Sequence, residues 1–141
     1  GGELIAMIRS DSSFQSEEGE HIQVGGIGEL MTSRSFDSGL SWCPPIPSGV
    51  WGQPAHLLLL RDGRILCTYG YRKKPYGIRM TLSKDQGHSW SDPVILCDGF
   101  ASWDIGYPSS VELTPGRVFT TYYCHKGDQV RYIAGTIWDT P

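Results

Sequence analysis

Residues Ser35–Trp42 read SFDSGLSW, and 48 residues further on Ser83–Trp90 read SKDQGHSW. One chain thus writes S-x-D-x-G-x-S-W twice, and a long pattern returning at such a period marks a repeat architecture. The flanking stretches align in the same way. Three segments share a turn glycine: GGELIAMIR from Gly1, DGRILCTYG from Asp62 and PGRVFTTYY from Pro115. Each reads as a tight turn followed by a β-branched and aromatic strand. Another apolar strand precedes the second and third turns, PAHLLLL from Pro54 and PSSVELT from Pro108, each after a G-x-P step at Gly52 or Gly106. A further strand follows (QVGGIGELMTS, YGIRMTLS, RYIAGTIW), and in the first two repeats the octapeptide and a short fourth strand close the unit.

The predicted unit is four antiparallel strands, the blade of a β-propeller, in which sheets repeat radially and protect one another's edges. One blade cannot bury both faces alone, so several must pack together. The chain starts at the second strand of one blade and stops at the third strand of another. The blade fragments cover roughly 1–50, 51–103 and 104–141 of a single partial domain. About three blades are fewer than a closed ring needs. Either the chain belongs to a longer protein, which is the expectation adopted, or a second copy closes the ring.

Within this frame the octapeptide is the hairpin between third and fourth strands. The carboxylates of Asp37 and Asp85 accept main-chain N–H bonds and fix the turn. Gly39 and Gly87 supply a positive φ, and Trp42 and Trp90 pack the hairpin onto the blade. An Asp repeated in every blade serves the fold rather than catalysis or a metal.

Composition agrees with an all-β chain. Eighteen glycines and nine prolines punctuate short segments, and no long stretch has helical apolar periodicity. The polar stretch Ser10–His21 reads as a surface loop. A net charge of −3 without a basic run argues against a nucleic-acid or anionic-membrane partner. The longest apolar run, Leu57–Leu60, is far short of a membrane span. Cys43, Cys67, Cys97 and Cys124 have no metal-ligand spacing and read as free thiols, most of them buried, so no zinc site is expected.

Strand direction locates a candidate site. Strands alternate in direction, so strand-one starts and strand-two ends share one rim, opposite the octapeptide hairpins. That rim gathers Arg9 and Arg72 at strand-two ends and His56 and Tyr107 near strand-one starts. Arg9 and Arg72 both stand an odd number of residues after their turn glycines, hence on the same strand face. Trp51, Trp103 and Tyr76 are aromatic surfaces for a sugar or for packing.

S-x-D-x-G-x-[ST]-W is the Asp-box, or bacterial neuraminidase repeat. With GQPAHLLLLRDGRILCTYGYR, PYGIRMTLSKDQGHSW and DIGYPSSVELTPGRVFTTYY, the chain resembles bacterial proteins of the sialidase superfamily of six-bladed propellers. The resemblance extends over essentially all 141 residues, as the C-terminal half of such a ring. It implies an exo-glycosidase releasing terminal sialic acid or a related acidic sugar from a glycan, with no cofactor or metal. Arg9 and Arg72 resemble the second and third arginines of the family's carboxylate clamp, with Arg79 competing for the latter role. Tyr107 resembles the tyrosine nucleophile, although Pro108 separates it from Ser109. A neutral phenol approaches an anomeric carbon bearing a carboxylate with less repulsion than an anion would. His56 has no firm counterpart and would donate to a sugar hydroxyl.

The acid/base Asp, the first arginine and the Glu that activates the tyrosine are expected outside this chain. Glu112 lies on the opposite strand face from Tyr107 and does not replace that Glu. The chain by itself is therefore expected to be inactive. Two rivals stand beside the sialidase reading: a non-catalytic carbohydrate-binding or interaction propeller, and a glycoside hydrolase of another sugar specificity.

Overall fold

The computed structural model of the chain describes residues 2–9, 13–15, 21–23, 28–127 and 130–141. These form twelve strands: β1 (Leu4–Arg9), β2 (Ser13–Gln15), β3 (His21–Gln23), β4 (Glu29–Ser35), β5 (Ile46–Trp51), β6 (Ala55–Leu59), β7 (Ile65–Tyr71), β8 (Tyr76–Ser83), β9 (Val94–Phe100), β10 (Gly106–Thr114), β11 (Arg117–His125) and β12 (Arg131–Asp139). Three antiparallel sheets take them in chain order, as β1-β4-β5, β6-β7-β8-β9 and β10-β11-β12. The expected three units of short consecutive strands are present, with three, four and three strands.

A fourth, two-stranded pairing corrects the loop expected over Ser10–His21. There β2 and β3 pair antiparallel with Phe14 opposite Ile22. Paired strands satisfy each other's main-chain N–H and C=O groups, which a loop would leave to water. The rest of that stretch lies outside the described residues.

The middle sheet is buried on both faces, and β7 shows how period two achieves this. Its odd residues Cys67 and Tyr69 join Leu30 and Val50 of the first sheet in one cluster, with Met7 and Leu57 packed against it. Its even residue Leu66 joins Met80, Leu82 and Val118, the last from the third sheet. Leu66 and Ile78 are fully enclosed, and burying a side chain of that size contributes about 1.5–3 kcal/mol. The outward face of the first sheet exposes Leu4 and Ile8, and that of the third exposes Val111, Ile133 and Ile137.

Between the second and third sheets runs a buried hydroxyl chain. Thr68 Oγ1 and Ser110 Oγ lie 3.0 Å apart, and Ser110 Oγ and Thr120 Oγ1 2.9 Å apart. Trp138 Nε1 donates to Thr120 Oγ1 at 3.0 Å. Each hydroxyl satisfies its neighbour, so polar groups are tolerated where neither sheet admits water.

Both octapeptide hairpins have the expected turn chemistry. Ser41 donates to Asp37 from its N–H at 2.8 Å and its hydroxyl at 2.6 Å. Ser89 does the same to Asp85 at 2.9 and 2.5 Å. Ser35 and Ser83 donate to the same carboxylates and accept the N–H of Gly39 and Gly87. Those glycines have φ of 93° and 82°.

The tryptophans do not behave alike. Trp90 packs against the cluster between the first and second sheets. Trp42 is 45% exposed, which corrects the expectation that it packs its hairpin down. Among the described residues, Leu4 and Ile8 on the outward face of its sheet are likewise exposed. All four cysteines are free thiols; Cys67 and Cys124 are buried, Cys97 is half-buried and Cys43 is exposed.

Candidate functional site

The end of the molecule opposite the octapeptide hairpins begins with a close backbone approach. A Cβ built on Gly70, near the end of β7, would lie 2.8 Å from the Gln53 carbonyl oxygen and 3.1 Å from Gly106 Cα. Only a residue without a side chain lets the second and third sheets meet there. The segment Trp103–Tyr107 is thereby held beside the chain leaving β7.

Arg72, the residue after β7, secures that segment. Its Nε and Nη2 both donate to the Ile105 carbonyl, at 3.2 and 3.0 Å. The guanidinium also sits 5.6 Å from the centre of the Trp103 ring, within cation–π range. Neither bond engages Nη1. Trp103 itself is largely exposed.

Tyr107 follows in an unusual backbone. Its φ is +49°, a region that bulky residues avoid unless the surroundings impose it. The β10–β11 register shifts between Gly106 and Ser109, so Tyr107 belongs to a β-bulge, a device that re-aims a side chain out of the ladder. The side chain is 60% exposed while Pro108 beside it is buried. Its ring stands 5.8 Å from that of Tyr123.

Three residues that sequence reasoning did not single out complete the cluster. Tyr123 Oη donates to Asp104 Oδ1 at 2.7 Å, and Arg131 Nε donates to Asp104 Oδ2 at 2.8 Å, with Arg131 Nη2 adding a close contact. The bond from Tyr123, then that from Arg131, then the charges of Arg131 and Arg72 hold the Asp104 carboxyl below its ordinary range. Burial and the adjoining carboxylate push the Tyr123 phenol up to about 12. Asp104 is thus a committed anion, and Tyr123 a committed donor. The repeat offered a signal for Tyr123 alone, which stands seven residues after Gly116 as Arg9 stands seven after Gly2.

The remaining predicted residues stand on other elements. His56 lies two residues into β6 and turns toward the third sheet, where its Nδ1 accepts the Ser110 N–H at 3.4 Å. Burial lowers its pKa, so it is the neutral ring that takes this bond. Arg9 ends β1 and continues the alternation of Ile5 and Met7, the face turned toward the second sheet. Arg79, the competitor of Arg72, stands elsewhere, over the Tyr71 ring at 3.6 Å. Glu112 accepts the Arg61 and Gly116 N–H groups at the far end of β10. Tyr76 is half-buried against the cluster containing Ile78 and Tyr122. Trp51 packs edge-on to Tyr71 at 5.3 Å.

Arg72 and Tyr107 therefore stand at one end beside an exposed indole. A fixed cation, a projecting phenol and a flat apolar ring suit an anionic ligand with a ring face. Among the described residues no group of His, Cys, Asp and Glu is arranged to hold a metal ion. No described helix is long and apolar enough to cross a membrane.

No family model matches the chain, and no curated protein does. Among solved structures it is similar to a protein of unknown function from Dyadobacter fermentans, with a TM-score of 0.75 and 28% identity. The match covers 97% of this chain and 39% of that one, so the chain spans about two-fifths of its neighbour's length.

Proposed function

We propose that the chain is part of a six-bladed β-propeller of the sialidase type and that its Arg72–Tyr107 end works on a terminal acidic sugar of a glycan. The observation that carries this reading is the left-handed backbone of Tyr107 within a bulge. An imposed, sparsely populated conformation at an exposed phenol is characteristic of a functional position. Three consecutive antiparallel sheets packed face to face support the propeller, as does a similar chain more than twice as long.

In this reading Arg72, with Arg9 and an arginine from elsewhere in the ring, binds the sugar's carboxylate through charge-assisted bonds. The Tyr107 oxygen attacks the anomeric carbon as its phenolic proton passes to a carboxylate base. The bond to the leaving oxygen breaks, and that oxygen takes a proton from an acid of another blade. Water then cleaves the tyrosyl–sugar bond, restoring the phenol with net retention.

A second reading, carbohydrate binding without hydrolysis, is favoured by one observation. Asp104, the carboxylate beside Tyr123, already accepts bonds from Tyr123 and Arg131 and is not poised as a base for Tyr107. Hydrolysis of a different glycoside is the third possibility, separated from the first by whether Arg72 contacts a carboxylate. Turnover of a fluorogenic sialoside by the full-length protein decides among them. Hydrolysis that Tyr107→Phe abolishes supports the first reading. Hydrolysis unchanged in that variant removes Tyr107 as nucleophile, and binding without turnover leaves the second.

A further inference from the structure

The third sheet seats its first strand on two strands of the second: β10 packs against both β6 and β7. The turn glycines Gly63 and Gly116 show which positions of β6 and β10 correspond. Leu57 and Leu59 stand opposite Cys67 and Ile65, four and two residues after Gly63. Ser110 and Glu112 stand opposite Thr120 and Val118, four and two residues after Gly116. All four face the preceding sheet. Ser110 meets Thr68, Glu112 accepts the Arg61 N–H, and Leu57 packs against the cluster shared with the first sheet.

Their burial is nevertheless inverted. The Glu112 side chain is only 7% exposed, whereas Leu59 is 69% exposed. A hidden carboxylate and a leucine in water reverse what solvation favours. The difference lies in the seat. β6 packs against β1, which corresponds to β7, but no described strand of the first sheet stands where β6 stands in the second. Among the described residues β1 pairs with β4 alone, so the other edge of Leu4–Ile8 carries no strand. A groove of about 500 Å³ lies there, with Leu4, Ile5, Leu57, Leu59 and Ile65 in its wall.

An open strand edge beside an apolar wall is the geometry of β-strand addition, in which main-chain groups hold the added segment and alternate side chains select it. A second copy does not supply the corresponding strand, because its own β6 and β10 are already paired with β7 and β11. We infer that the groove is a strand-acceptor site, in which an extended polypeptide segment from outside residues 1–141 pairs antiparallel with β1 and sets leucine-type side chains on Leu57 and Leu59. The segment has the chemistry of β6, whose end places Leu58 and Leu60 against the cluster containing Val118 of the next sheet. The inference rests on the repeated sheets and is independent of the acidic-sugar reading.

The probe is a synthetic peptide with the sequence of residues 54–63, PAHLLLLRDG, titrated into the ¹⁵N-labelled chain. The expected result is saturable shifts and slowed hydrogen exchange at the β1 amides. A peptide carrying Leu58→Ser and Leu60→Ser should bind about tenfold or more weakly, and Leu59→Ser in the protein should have a similar effect. The altered peptide carries the test if that protein variant does not fold. Ile133→Ser, on the exposed face of the third sheet, should leave the titration unchanged. Absent binding, equal binding of the two peptides, or a folded Leu59→Ser variant that binds as the wild type does overturns the inference. Protection of the β1 amides by self-association before peptide is added also overturns it and assigns the groove to a second copy.

Discussion

Arg72 donates twice to the main-chain carbonyl of Ile105, two residues before Tyr107. The cation at the end of the second sheet therefore fixes the segment that leads into the bulge of the third. One side chain links the two elements of the candidate site and also supplies its charge.

Arg72→Lys keeps the charge but cannot direct two N–H groups at one carbonyl. The expected cost is about 1–2 kcal/mol in urea unfolding. Ligand affinity should fall with it, because the Trp103–Tyr107 segment loses its anchor. Equal stability of variant and wild type would show that the Ile105 bond holds nothing.

Gly87→Ala should be more damaging than Gly39→Ala, although both glycines have positive φ. A Cβ on Gly87 would lie 2.3 Å from Ile5 Cδ1, whereas one on Gly39 meets nothing closer than Leu4 Cδ1 at 3.3 Å. Backbone strain costs about 1–2 kcal/mol in each, and the clash with the neighbouring sheet adds to it only at Gly87. Thermal unfolding of the two variants gives the order.

That inequality shows what was legible in the sequence. The octapeptide disclosed the hairpin, its serine–aspartate bonding and the repeat, because these are local and written out twice. It did not disclose that Trp90 and Gly87 touch a neighbouring sheet while Trp42 stays exposed, since packing partners come from other units. The place of Arg72 and Tyr107 toward one rim was readable from strand direction. Asp104, Tyr123 and Arg131 were not, because their bonds join a loop, a strand end and a strand start that no spacing rule connects. The φ of Tyr107 was equally hidden, since Gly-Tyr-Pro does not specify a left-handed tyrosine.

Acid should loosen the hairpins. Three donors to Asp37, the Ser41 hydroxyl foremost, lower its carboxyl to about 2, and Asp85 lies well below its ordinary range for the same reason. Carboxylates depressed in the folded state bind protons more readily unfolded, so their stabilisation is complete above about pH 4 and lost as pH falls toward 2. Urea midpoints followed from pH 5 to pH 2 should fall in the wild type and flatten in the Asp37→Asn, Asp85→Asn double variant.

Tyr123 should resist ionisation. Burial and the neighbouring Asp104 carboxylate raise its phenol to about 12, so phenolate absorbance should lack this residue at pH 10 to 11. Asp104→Asn removes the carboxylate charge and should bring the transition down; an unchanged transition would assign the shift to burial alone.

The most direct test is calorimetric titration of the full-length protein with N-acetylneuraminate, with galactose as the neutral control. Saturable binding of the acidic sugar, absent for galactose and lost about tenfold or more in Arg72→Ala, is the predicted result. Binding of both sugars alike, or of the acidic sugar with equal strength in wild type and Arg72→Ala, would contradict an acidic-sugar site at the Arg72–Tyr107 end.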